Sequence, residues 1–81
     1  MDFKKTDADG QVVSWWNVSP TDDYTQNCIA GREYAQQFIQ AVRGNEAHVA
    51  LPHIVSEFPG TMTGIEIGFL QEVSESLSML T

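Results

Sequence analysis

The chain has few cysteines, few basic residues and no long apolar run. Its single cysteine among 81 residues cannot form an internal disulfide. Lys and Arg together number 4 against 11 Asp and Glu, so the formal net charge is −7 at pH 7. Nucleic-acid phosphates are bound by clustered Lys and Arg, and we therefore expect no direct nucleic-acid binding. No run approaches the roughly 20 apolar residues of a membrane-spanning helix, so we expect no membrane partner.

The amino-terminal residues MDFKKTDADG also lack the apolar segment of a secretion signal. With the single cysteine, this predicts a cytoplasmic protein. What the chain does have is typical of a globular protein, because 42% of its residues are apolar and 10% are aromatic. Its length predicts a single domain over 1–81.

Residues 1–18 are predicted to be extended. The segment 11–18 is rich in β-branched and aromatic residues, which favour strands. A turn signal, residues 7–10, precedes it, and Gly10 there can adopt a positive φ. Residues 1–5 are a candidate second strand. The sequence leaves open whether this region pairs within one chain or between two chains.

Helix 1 is predicted over 19–43. Ser19 suits the N-cap and Pro20 the first helical position, while Gly44 ends the pattern. One face of this helix carries Gly31 and the apolar residues Tyr24, Cys28, Ala35, Phe38, Ile39 and Val42. We predict that this face is buried and that Cys28 fills the core rather than acting as a nucleophile.

Two shorter helices complete the prediction. Helix 2 spans 50–58, with Leu51, Ile54, Val55 and Phe58 at helical spacing. Helix 3 spans 63–79, and Thr63 with Glu66 forms a capping-box pattern at its start. Its broad apolar face contains Ile65, Phe69, Leu70, Val73, Leu77 and Leu80. The expected fold class is α+β, mainly α: an amino-terminal strand or short hairpin, then three helices joined by short loops in one small domain.

Two glycines inside the predicted helices indicate close packing. Gly31 lies on the apolar face of helix 1, and we predict a tight contact there, beneath Trp15 or Trp16. Gly68 lies outside the apolar face of helix 3, where a glycine costs about 1 kcal/mol relative to alanine. We therefore expect a close neighbour on that side, either the turn at 59–60 or another subunit.

The motif Asp7-x-Asp9-Gly10-x-Val12 resembles the middle of an EF-hand calcium loop. Such a loop also needs an acid at its first position and a bidentate Glu at its twelfth, which here are Lys5 and Trp16. We therefore expect an Asx-type turn rather than a calcium site.

The remaining ligand candidates are His48, His53, Glu57 and Cys28. They lack the short spacings of a structural zinc site, and His53 with Glu57 is expected to form a solvated pair on helix 2. The chain has no nucleophile elbow, no phosphate-binding glycine loop and no paired-carboxylate motif. We expect no metal, no cofactor and no enzymatic activity.

The sequence favours a small protein–protein interaction module that forms a homodimer, because it has more apolar residues than one small core uses. The two adjacent tryptophans face opposite ways in a strand, so one of them is free to meet a partner. The candidate partner contacts are Trp15, Trp16, Ile29, Ile67, Met79 and Leu80.

The alternative is an acidic decoy that occupies the basic, nucleic-acid-binding surface of another protein. The net charge of −7 suits such a role, since charge complementarity speeds association.

Overall fold

A computed structural model of the chain describes residues 2–44 and 50–78. Two short strands, β1 (Lys5–Thr6) and β2 (Val12–Ser14), are followed by α1 (Tyr24–Arg43), α2 (Leu51–Ser56) and α3 (Gly64–Ser78). This order confirms the expected fold class, a short hairpin followed by three helices. None of the helices in the described part of the chain is long and apolar enough to cross a membrane.

The hairpin pairs within one chain. β1 and β2 are antiparallel, with Lys5 opposite Ser14 and Thr6 opposite Val12, and a bulge lies between the two pairs. The turn is the expected Asx type, because a carboxylate oxygen of Asp7 accepts the backbone N–H groups of Asp9 at 2.9 Å and Gln11 at 3.0 Å. The Asp7 carboxylate oxygen thus forms its hydrogen bonds within the turn and stabilises it.

Helix α1 begins five residues later than the predicted start at Ser19. Asp23 is the N-cap, and its carboxylate accepts the N–H of Gln26 at 3.1 Å. Thr21 is held off the helix by the buried side chain of Asn27, which accepts its N–H and hydroxyl and donates to its carbonyl, each at 2.9 Å. The prediction that Ser19 is the N-cap is therefore wrong, because the hydrogen bonds between Thr21 and Asn27 compete with helical hydrogen bonding before Asp23.

The buried face of α1 is correspondingly rotated from the predicted one. Its buried residues are Asn27, Gly31, Ala35 and Phe38. Tyr24 is exposed and Cys28 is half-buried, so the predicted burial was wrong for Tyr24 and only partly right for Cys28.

Helices α1 and α3 run parallel and touch through their backbones. A Cβ at Gly31 would overlap the carbonyl oxygen of Ile65, and one at Gly68 would overlap that of Cys28. At Gly64 a Cβ would lie 2.9 Å from the Asn27 Cβ. We call Gly31, Gly64 and Gly68 the glycine contact. Each helix is the other's close neighbour, so the predicted neighbours (the tryptophans, the 59–60 turn or another subunit) were wrong.

An aromatic cluster forms the centre of the core, with Phe69 on α3 in its middle. The rings of Phe3, Trp16, Phe38 and Phe58 surround it at centroid distances of 4.9 to 6.1 Å. Phe3 is fully buried although it lies among charged residues near the amino terminus. Burying one such ring contributes about 1.5–3 kcal/mol, so the extended segment is an integral part of the core.

The second and third helices differ from their predictions near their carboxyl-terminal ends, in their bounds and in which residues are buried. Helix α2 ends at Ser56 rather than at residue 58, and its Ile54 is buried while Val55 is exposed. Helix α3 begins after Thr63, as predicted, and its predicted end at residue 79 lies outside the described residues. Leu77, one turn before that end, is exposed.

Candidate functional site

Trp16 is part of the core and is only 7% exposed. Its indole N–H donates to Glu66 Oε2 at 2.7 Å, and Glu66 is itself 1% exposed. The other carboxylate oxygen accepts the N–H and the hydroxyl of Thr63 at 2.6 and 2.7 Å, which is the Glu66 half of the predicted capping box. The Thr63 hydroxyl accepts the N–H of Ile65, at 3.3 Å, rather than that of Glu66. The indole and the two Thr63 donors satisfy the buried carboxylate and join the amino-terminal segment to α3. The fold therefore leaves little of Trp16 for a partner.

Trp15 lies on the other side of the segment and is half-buried against α2. Its ring stacks on the imidazole of His53, with centroids 5.6 Å apart, and Lys4 Nζ lies 5.8 Å from the ring centroid. Glu57 accepts the Trp15 N–H at 2.8 Å and the Ser14 hydroxyl at 2.9 Å. The indole thus has neighbours within the chain, and its part in a partner surface stays a prediction.

The Trp15 N–H lowers the pKa of the Glu57 carboxyl below its ordinary value, and the Ser14 hydroxyl, the Trp16 N–H and the nearby His53 imidazole act in the same direction. Partial desolvation opposes them. His53 and Glu57 share no hydrogen bond or ion pair, so the expected His–Glu pair is not formed. Glu57 instead attaches the hairpin to α2 through its bonds to Ser14 and Trp15.

The other predicted contact residues lie on different parts of the surface. Ile29 is 45% exposed on α1. Ile67 is half-buried and borders a shallow apolar surface with Met62 and Leu70 at the start of α3. Met79 and Leu80 lie outside the described residues. The structure therefore does not bring the four described members of this set, Trp15, Trp16, Ile29 and Ile67, together on one face.

A different apolar surface opens where α1 and α3 end. This surface, which we call the C-terminal groove, has a volume of about 320 Å³, and among the described residues its polar lining consists of Arg43 and Ser76. Leu77 stands 59% exposed at its edge. The groove's apolar lining consists of Phe38, Ile39, Val42, Leu51, Val73 and Leu77.

A polar rim adjoins the groove along Ile39, Arg43 and Ser76 and adds Gln36, Gln40, Glu72 and Glu75. Arg32 lies beyond this rim and forms long ion pairs with Glu72 at 3.6 Å and Glu75 at 3.7 Å. Arg43 forms no ion pair with any described residue. The described residues on and just beyond the rim thus include two cations and two anions.

The candidate ligand residues do not converge. Within residues 2–44 and 50–78, no group of three or more His, Cys, Asp or Glu could hold a metal ion. Asp7 is used by its own turn, and His48 lies outside the described residues. Cys28 is a free thiol one turn from Tyr24, and hydrogen bonding to it raises the pKa of the Tyr24 hydroxyl.

The groove was missed because sequence periodicity cannot tell where a packed face ends. Val42 and Leu77 continue the apolar faces of their helices, and both were assigned to the core on that pattern. The sequence did contain one signal for the groove, the difference in length between the predicted helices. Helix 2 is short and supplies too few apolar residues to cover the apolar faces of two longer helices.

Comparison of the chain with protein-family models, with curated proteins and with solved structures gave no match.

Proposed function

We propose that the chain is a small cytoplasmic protein–protein interaction module that works as a homodimer and has no catalytic activity of its own. The observation that carries this proposal is the C-terminal groove, an apolar surface with Leu77 exposed at its edge. A contiguous exposed apolar surface with a polar rim is typical of an interaction site.

The proposal is tested by sedimentation equilibrium of the full chain from about 1 to 500 µM, a range that covers weak protein complexes. We expect the mass to rise from 9.0 kDa toward twice that value. A constant monomer mass, together with the absence of any protein retained from a lysate, contradicts the proposal.

The second candidate is the acidic decoy, and the charge of the amino-terminal segment favours it. Asp2, Asp7, Asp9, Asp22 and Asp23 are all exposed within the first 23 residues, where the only cations are Lys4 and Lys5. Capture from a lysate at low and at high salt separates the two candidates. A decoy loses its partner at high salt because screening weakens charge pairing, whereas an apolar contact is retained.

A further inference from the structure

We propose that the C-terminal groove is the homodimer interface, occupied by the same groove of a second copy in a two-fold arrangement that pairs Arg43 of each copy with the partner's Glu75. This inference rests on the proposed function and specifies its surface. Glu75 is chosen over Glu72 because its side chain is 60% exposed, against 20% for Glu72. Arg43 is available because no described residue pairs with it.

The balance of charge on this face favours a second copy over a basic partner. Two-fold interfaces are self-complementary, so the same surface must supply both signs of charge. Among the described residues here, Arg43 on the rim and Arg32 just beyond it balance Glu72 and Glu75, although the whole chain carries a net charge of −7. Two copies can therefore approach through this face without the repulsion that their other surfaces impose.

The size of this face indicates how strongly the two copies should bind each other. Twelve of the described residues line the groove and its rim, about half of the 20–30 residues that each partner contributes to a standard interface. We therefore expect a reversible dimer with a Kd in the range of about 1–100 µM.

Two charge-reversal variants test the pairing. Arg43→Glu places like charges at both symmetry-related contacts of its homodimer, and so does Glu75→Arg. Each is expected to weaken its homodimer about tenfold or more. An equimolar mixture of the two restores opposite charges at both contacts, so we expect a heterodimer with a Kd near that of the unmodified chain.

Sedimentation equilibrium of the two variants and their mixture gives the result. The two-fold pairing is supported if a dimer forms in the mixture but not in either variant by itself. A mixture no tighter than either variant overturns it, and so do variants that dimerise like the unmodified chain.

A second pair of variants tests the groove without changing Arg43 or Glu75. Leu77→Glu should weaken the dimer at least tenfold, while Ile29→Glu, on an exposed part of α1 outside the groove, should leave it unchanged. If the chain dimerises but only Ile29→Glu or Ile67→Glu disrupts it, this inference fails while the proposed function stands. If Leu77→Glu lowers the melting temperature of the monomer by several degrees, the groove is filled within the chain and the inference also fails.

Discussion

The two ends of the parallel pair formed by α1 and α3 differ in what lies between them. At Gly31 and Gly68 of the glycine contact the two backbones touch, and no side chain fits between them, while at Gly64 the side chain of Asn27 packs against the glycine. At the other end larger side chains of both helices line the C-terminal groove, and Leu51 is the one residue of α2 in its described lining. The helices are thus in close contact at one end and border an open groove at the other. We expect the first end to govern stability, and we propose the second as the binding surface.

The same contrast distinguishes the two tryptophans. Trp16 is fixed by the buried carboxylate of Glu66 and by surrounding aromatic rings, whereas Trp15 rests on exposed polar groups of α2. Buried polar contacts are costly to break, and exposed ones contribute little. Mutations should therefore separate the regions by the size of their effects.

The largest expected effect is at the glycine contact. Gly31→Leu should destabilise the fold by about 3 kcal/mol, because its side chain must displace the α3 backbone. The melting temperature should fall by more than about 10 °C. The control is Gly60→Ala, where an added Cβ meets nothing within 4 Å. An unchanged melting temperature for Gly31→Leu would show that the helices are not in backbone contact.

The next effect is at Glu66. Glu66→Leu removes the acceptor for the Trp16 indole and for Thr63, leaving buried donors unsatisfied, and should cost about 2–3 kcal/mol. Urea unfolding followed by tryptophan fluorescence measures this loss. Glu33→Leu, an exposed glutamate on α1, should stay within about 0.5 kcal/mol of the unmodified chain. Equal stabilities of the two variants would refute the buried acceptor role.

Two positions one turn apart on α3 compare burial directly. Val73 is buried at the base of the groove and Leu77 is exposed at its edge. At monomeric concentrations Val73→Ala should cost about 1–2 kcal/mol, while Leu77→Ala should cost less than about 0.5 kcal/mol although it removes more atoms. The reverse order in chemical denaturation would mean that the groove is not open.

The smallest effect concerns the attachment of the hairpin. Because folding lowers the pKa of Glu57, its contribution is fully present above the ordinary Glu pKa of about 4.5 and is lost as the pH falls through the lower folded value. Between pH 6 and pH 3 the unmodified chain should therefore lose more stability than Glu57→Gln. The difference should be below about 1 kcal/mol because the carboxylate is exposed. Identical stability–pH profiles for the two proteins would show that the Glu57 carboxylate does not stabilise the attachment of the hairpin.

Much of the fold could be predicted from local signals. The Asp7 turn, the Glu66 half of the Thr63–Glu66 capping box and the Gly44 stop are short-range patterns, and each was confirmed. The predicted start of α1 and the predicted neighbour of Gly68 were wrong because both features depend on contacts with residues outside the local sequence pattern. Phe3 was missed because nothing around it in the sequence indicates burial.

The candidate site was less predictable for the same reason. Periodicity assigned Leu77 to the buried face of helix 3, but whether a face is covered depends on the length and position of the other helices. The predicted contacts at Ile29 and Ile67 stay predictions, and Trp16 belongs to the core.

The central claim is that association takes place at the open end of the helix pair. The most direct measurement is a dilution series of ¹H–¹⁵N correlation spectra of the uniformly labelled chain. We expect concentration-dependent shifts at residues 36–43 and 72–77, and none at the glycine contact or at Ile29. Shifts centred on Met62, Ile67 and Leu70, or no shifts in a chain that remains monomeric, would contradict it.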